Sequence, residues 1–312
     1  MDPLFIILIC ILVLALAVLG ITFYCFYATF YVNRRAQAKN REEYPIPEGE
    51  IYKPHRELMI SWMKEARCLE GEDMYIESFD GLKLHARYYE CDPNGITEIM
   101  FHGYRGSAER DMCGGIQRCF KLGHNALIVD QRTSGQSEGR VITFGVNESR
   151  DCAQWAWHAV ERFGKDVRLI LCGISMGAST VMAATGRELP PNVVGVLADC
   201  GFSSAKQIIK KVIRQLRLPE NVLYPFVKLS AKMFGGFDLE ELPPLEALKD
   251  CRIPVMFIHG TADDFVPVEM SRECYDACAS RKDILEIEGA GHGLGYIIKP
   301  DEYVNALRKF FG

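Results

Sequence analysis

Gly173-Ile174-Ser175-Met176-Gly177 stands between the apolar run Leu169-Ile170-Leu171-Cys172 and a stretch with helical spacing over residues 178–188. A short apolar run bounded by glycine reads as a buried strand, so the serine falls on the turn from strand to helix. Such a turn lifts a hydroxyl off the sheet edge, and the flanking glycines leave room for a tight backbone. At about 7% glycine usage a G-x-S-x-G string arises by chance in roughly one chain in ten of this length, so its placement carries the weight. The ordinary alternative for Ser175 is a helix N-cap.

Working outward, apolar runs alternate with helical stretches from Asp73 onward, the rhythm of βαβ units and a mostly parallel sheet. Residues 74–79 and 82–90, joined by Asp80-Gly81, suggest an opening hairpin with a type I′ turn. Further strands are expected at 98–101, 126–129, 168–172, 193–198, 255–258 and 284–287. A serine hydroxyl needs a base and a group that orients the base. Asp263, in His259-Gly260-Thr261-Ala262-Asp263-Asp264-Phe265-Val266-Pro267, follows one strand, and His292, in Gly289-Ala290-Gly291-His292-Gly293, follows the last. Both fall at the carboxyl edge of the sheet, where open α/β sheets gather their sites. The order Ser, Asp, His is that of α/β-hydrolases.

With these motifs, Phe101-His102-Gly103-Tyr104-Arg105-Gly106 and residues 130–139, the chain from about residue 73 to 312 resembles an α/β-hydrolase of the serine-aminopeptidase-like and monoacylglycerol-lipase-like group. The resemblance implies a mostly parallel sheet flanked by helices, with Ser175 as nucleophile, His292 as general base and Asp263, rather than Asp264, as the carboxylate that holds the imidazole. It implies backbone amides of Tyr104 and Met176 as oxyanion donors. His102 and His259 are expected to shape loops. The family's D-x-R-G-x-G-x-S loop departs here at Thr133, which replaces a glycine and changes the backbone freedom of the loop.

Residues 203–250 form an insertion expected to be a small cap, with helices over 205–216 and 222–234. Its face Ile208, Ile209, Val212, Ile213 and Leu216 has amphipathic spacing, interleaved with Lys206, Lys210, Lys211, Arg214 and Arg217. That pattern allows an entrance for acyl chains, a basic surface toward anionic headgroups, or a helix that packs its apolar side inward.

The N-terminus is unlike the rest. Residues 4–32 contain no charged side chain, and eighteen of these 29 are Leu, Ile, Phe or Val, each favourable by roughly 0.3–0.6 kcal/mol at mid-bilayer. Residues 4–24 as helix would span about 31 Å, enough for a hydrocarbon core. Tyr24, Phe26, Tyr27, Phe30 and Tyr31 read as an interfacial aromatic belt. A cleaved signal peptide is the rival, but the start Met1-Asp2-Pro3 offers no positive side chain. Arg34, Arg35, Lys39 and Arg41 follow the span, which places the C-terminal part in the cytoplasm. The twelve cysteines show no small-domain disulfide spacing, as suits a reducing compartment.

The expected organisation is a transmembrane anchor at 1–33, a juxtamembrane tether with a short helix at 34–70, and a hydrolase domain at 71–312. The net charge of −5 argues against nucleic-acid binding. Cys274 and Cys278 lack further ligands at zinc spacing, and no phosphate-binding glycine motif occurs, so neither metal nor cofactor is expected. The function expected is a membrane-anchored serine hydrolase acting on carboxylic esters, lipid-derived ones included. A peptidase of the aminopeptidase type and a catalytically silent binding or scaffold protein remain alternatives.

Overall fold

The computed structural model describes residues 2–34 and 42–312. Arg35, Lys39 and Arg41, counted above for topology, lie outside the described residues.

Eight strands form one sheet: β1 (Glu72–Glu77), β2 (Lys83–Tyr89), β3 (Thr97–Phe101), β4 (Asn125–Asp130), β5 (Leu169–Ile174), β6 (Val193–Asp199), β7 (Val255–Gly260) and β8 (Lys282–Ile287). Their order is β1-β2-β4-β3-β5-β6-β7-β8. The pairs β1–β2 and β2–β4 are antiparallel and the rest parallel. The mostly parallel sheet expected from the run spacing is thus borne out.

The period-two alternation of the strands sends their side chains to two cores. Ile99, Phe101, Leu127, Val129, Leu169 and Leu171 face α4 (Val146–Phe163) and α5 (Met176–Ala184). Met100, Ile128, Ile170 and Cys172 face α3 (Ala108–Lys121) and the C-terminal helix Pro300–Phe311. Burial on both faces explains why the central strands read as unbroken apolar runs.

The opening hairpin differs from the expected tight turn. The strands stop at Glu77 and Lys83, and within the connection Gly81 has φ +81° while Asp80 does not have a positive φ. A type I′ turn needs both. The Ser78 hydroxyl instead donates to Asp80 Oδ1 and accepts from the Leu82 amide, closing a wider loop.

Helix α1 (Pro3–Thr29) begins with a Pro at N1 and an Asp2 cap that accepts from the Leu4 amide. Residues 2–21 are exposed on all sides. Its last turns are not. Phe26 and Phe30, one turn apart on one face, pack against the cap, with Phe30 fully buried between Phe144 and Phe237 at ring distances of 5.8 and 5.4 Å. The aromatic belt is therefore divided. Tyr24 and Tyr27 stay exposed, whereas Phe26 and Phe30 serve the protein core. Chain exit is fixed by hydrogen bonds from the Val32 amide to Arg140 O (2.8 Å) and from the Ile142 amide to Phe30 O (2.9 Å). Truncating Phe30 to Ala should cost about 3–5 kcal/mol. In the purified protein it is expected to lower the thermal midpoint on the order of 10 °C.

The segment expected to be a cap consists of α6 (Ala205–Gln215), α7 (Glu220–Ser230), a π-turn at Ala231–Gly235 and α8 (Pro244–Leu248). Ile208, Ile209 and Ile213 point inward, while Leu216 is exposed. The basic side chains are largely taken up by the protein: Lys211 bonds Asp264 O and Phe265 O, Lys210 bonds Asn221, and Arg214 pairs with Glu220. These contacts match the inward-packed reading of this helix.

Candidate active site

Ser175 adopts φ 57° and ψ −119° at the end of β5, and its side chain makes no capping hydrogen bond to α5. This left-handed backbone costs on the order of 1–3 kcal/mol and persists because its neighbours leave no alternative. A Cβ on Gly177 would lie 1.9 Å from Phe101 O, and one on Gly173 would lie 2.2 Å from the Gly177 carbonyl carbon. The two glycines are therefore demanded by close backbone approach. The Ser175 Oγ lies 2.8 Å from His292 Nε2, and His292 Nδ1 lies 2.6 Å from Asp263 Oδ2. The structure thus brings the three expected side chains, from three separate loops, into one hydrogen-bonded chain. In the tautomer this geometry suits, Nδ1–H donates to Asp263 and Nε2 accepts from the hydroxyl.

Asp263 is held from several sides. Its Oδ1 accepts from the Phe265 and Val266 amides at 2.9 and 2.8 Å, and Oδ2 also meets His259 Nε2 at 3.2 Å. Burial alone would raise its pKa, but the bonds from His259, His292 and the Val266 amide outweigh that and hold it well below the usual carboxylate range. His259 is fully buried, donating from Nε2 to Val266 O at 2.9 Å and accepting from Ser271 Oγ at 2.6 Å. It shapes the acid loop. His102 does the same on the other side, accepting from the Gln131 amide at 3.1 Å and donating to Gly103 O at 2.8 Å. Asp264 is exposed, with its backbone carbonyl capped by Lys211 and Gln215.

The Met176 amide begins α5, and neither it nor the Tyr104 amide has a hydrogen-bond partner among the described residues. Gly103 lies against the serine, where an added Cβ would be 3.4 Å from Ser175 Cβ. Its amide donates to Asp111 Oδ2 at 3.0 Å, and Arg110 fixes the other carboxylate oxygen at 2.5 Å. Burial alone would raise the Asp111 pKa, but the adjacent Arg110 guanidinium outweighs it and lowers the value. The loop is also tied to α1: the Tyr104 hydroxyl donates to Thr29 O at 2.7 Å, and Arg105 donates to Ala28 O and Tyr31 O at 3.0 and 3.2 Å. These carbonyls at and just beyond the helix end lack helical partners, and a guanidinium satisfies them well. Thr133 holds φ +79° where the related pattern has glycine, and its amide donates to Glu138 O.

A cavity of about 580 Å³ opens from Ser175 and His292 and runs beneath the sheet edge toward α3. Its walls include Tyr52, Met59 and Trp62 from the segment expected to be a tether, and Tyr52 donates to the His292 carbonyl at 3.0 Å. Asp111, Asp199 and Tyr52 carry no motif and were not legible in the sequence. Cys200 Sγ lies within 4.8 Å of the Asp263 and His292 ligand atoms. Burial pushes that thiol well above its usual pKa, which keeps it protonated and a poor metal ligand.

The sequence profile of the alpha/beta hydrolase family matches residues 99–306, and the chain belongs to that family. Protein YqkD of Bacillus subtilis is 28% identical over 190 residues, which span 61% of this chain and 62% of the relative. The Arabidopsis thaliana alpha/beta hydrolase domain-containing protein WAV2 is 24% identical over 221 residues, 67% of each chain. Among solved structures, the Pyrococcus furiosus esterase Pf2001 superposes with a TM-score of 0.65 at 24% identity, covering 86% of this chain and 97% of its own. Acetyl xylan esterase 1 of Thermoanaerobacterium superposes at 0.54 and 18% identity, covering 90% and 98%. At these identities the structural likeness is one of fold.

Proposed function

We propose that the protein is a serine hydrolase that cleaves carboxylic esters through an acyl-enzyme, anchored in a membrane by α1. The observation that carries this reading is the Ser175–His292–Asp263 chain at 2.8 and 2.6 Å, set at the mouth of a cavity beside two unpaired amides. In the first step His292 Nε2 takes the hydroxyl proton as Ser175 Oγ attacks the carbonyl carbon. The oxyanion is met by the Met176 and Tyr104 amides, the imidazolium by Asp263. His292 then returns the proton to the leaving alkoxide, and water repeats the sequence to release the acid. The names of two similar structures, both esterases, agree with an ester substrate.

The anchor reading rests on the exposed apolar surface of residues 2–21, which as helix spans about 30 Å, the thickness of a hydrocarbon core. Because the end of α1 is packed into the cap, the domain would sit at headgroup level, close to lipid-derived esters. The flanking positive charge favours a cytoplasmic domain, although Arg34 also caps Gly135 O at 2.9 Å. Protection of the domain from protease in intact cells is the expected result. A fluorophosphonate probe is expected to label the wild-type protein on Ser175, with esters hydrolysed faster than matched aminoacyl amides. An unlabelled, folded protein would point instead to the binding or scaffold alternative.

A further inference from the structure

The cavity has apolar walls, with Met59, Trp62, Met100 and Leu197 among them, and two buried carboxyls reach it. Those carboxyls differ. Both oxygens of Asp111 are engaged, one by the Gly103 amide and one by Arg110. Asp199, at the end of β6, is engaged on one side only: the Tyr303 hydroxyl donates to Oδ2 at 2.8 Å, and Oδ1 has no hydrogen-bond partner among the described residues. Asp199 is 8% exposed, and it borders the cavity that Ser175 and His292 share. The residue is nine-tenths removed from solvent and what stays accessible borders the cavity, so a substrate that displaces water there must supply a donor to Oδ1 or leave it unpaired at a cost. Here the open side of that oxygen is the cavity itself.

The charge around it narrows the donor. Arg118 lines the same wall, lies over the Tyr303 ring at 5.9 Å and pairs with Glu98, and Arg110 lines the wall nearer the serine. Arg110 and Arg118 are paired with Asp111 and Glu98, so among the described residues no carboxyl beyond Asp199 is left on this wall to hold an ammonium group. Asp111 and Asp199 disfavour an anion. A neutral group that can donate a hydrogen bond meets neither objection, and a hydroxyl on an otherwise apolar substrate also suits the apolar remainder of the walls.

Building on the hydrolase reading above, we propose that Asp199 is a substrate-recognition residue that accepts a hydrogen bond from a neutral hydroxyl of the ester held in this cavity. Burial raises the Asp199 pKa, and a hydroxyl pairs with either protonation state, donating to the carboxylate or accepting from the acid. The hydroxyl can stand on the acyl chain or on the alcohol, and the two sources are separable.

The test uses the detergent-solubilised full chain at pH 8. One arm compares 4-nitrophenyl octanoate, decanoate and dodecanoate with their ω-hydroxy and ω-methoxy counterparts. The other compares octanoyl esters of 1-propanol, 1,3-propanediol and 3-methoxypropanol. The wild type is expected to favour the hydroxy member of one arm in kcat/KM by roughly tenfold to a hundredfold, which identifies the side of the ester that meets Asp199. The methoxy member, with an oxygen but no donor, is expected to gain nothing. In Asp199→Val the hydroxy-to-plain ratio should fall to within about twofold of one, a ratio independent of how much protein is folded. A wild-type ratio near one in both arms overturns the proposal, as does a methoxy gain equal to the hydroxy gain or a preference that survives Asp199→Val. If the wild type is labelled on Ser175 and shows no hydroxyl preference, this inference alone fails. If it is folded and unlabelled, the hydrolase reading fails and takes this one with it.

Discussion

Ser175→Ala is expected to reduce ester hydrolysis by about 10³-fold or more, because the variant lacks the atom that forms the acyl-enzyme. The substitution is sterically mild, since alanine is smaller and His292 and Asp263 keep their own hydrogen bond. The backbone at φ 57° is as unfavourable for alanine as for serine, so the thermal midpoint should change little. Steady-state kcat on 4-nitrophenyl butyrate, with the melting curve beside it, is the measurement. A folded variant within tenfold of the wild-type rate would remove Ser175 from the chemistry. The residual rate should persist in Ser175→Ala/His292→Ala, because once one member is gone the others add little.

Asp263→Asn should lower kcat by about 10⁴-fold with a small change in KM, for a reason of tautomers. Asp263 Oδ2 accepts from His292 Nδ1 and lies 3.2 Å from His259 Nε2, while Oδ1 accepts two amides. An asparagine must place its NH₂ on one of these sides. The Oδ1 side holds two donors, so the amide oxygen goes there and NH₂ faces the histidines. His292 is then driven to carry its proton on Nε2, where it cannot accept the serine proton. A second readout separates this from a folding defect. The wild-type carboxyl has its pKa depressed in the folded state, so it stabilises the protein above the unfolded Asp value of about 4 and loses that contribution as pH falls below it. The asparagine variant should show a shallower loss of stability on the acid side. An unchanged acid slope together with an unchanged kcat would contradict the assignment.

Much of the fold was legible because the relevant signals are local. Strands buried on both faces read as apolar runs, and the Gly173 and Gly177 spacing reports positions where an added Cβ would come within 3 Å of neighbouring main chain. Asp263 and His292 were legible for the same reason, since each follows a strand whose carboxyl end the sheet order brings to one edge. The hairpin turn differs from the expected one because Asp-Gly favours a tight turn only when the strands continue up to it, and here Ser78 closes a wider loop.

The sequence by itself determined the sheet, the strand-turn-helix bearing Ser175, the order of the three candidate catalytic side chains and the presence of an apolar N-terminal helix. Tertiary structure decided what fills the space around them. Tyr52 meets the His292 carbonyl across 240 residues, Tyr104 meets Thr29 across 75, and Asp199 meets Tyr303 across 104. Such contacts leave no periodicity in the chain, because they depend on where distant backbones converge and not on the spacing of neighbours. The segment between α1 and the sheet therefore reads as a tether in sequence and becomes a wall of the cavity in space. Likewise Phe26 and Phe30, indistinguishable in composition from a membrane belt, face the cap because the loop at Arg105 and the strand-like pairing at Val32 fix the direction in which α1 ends.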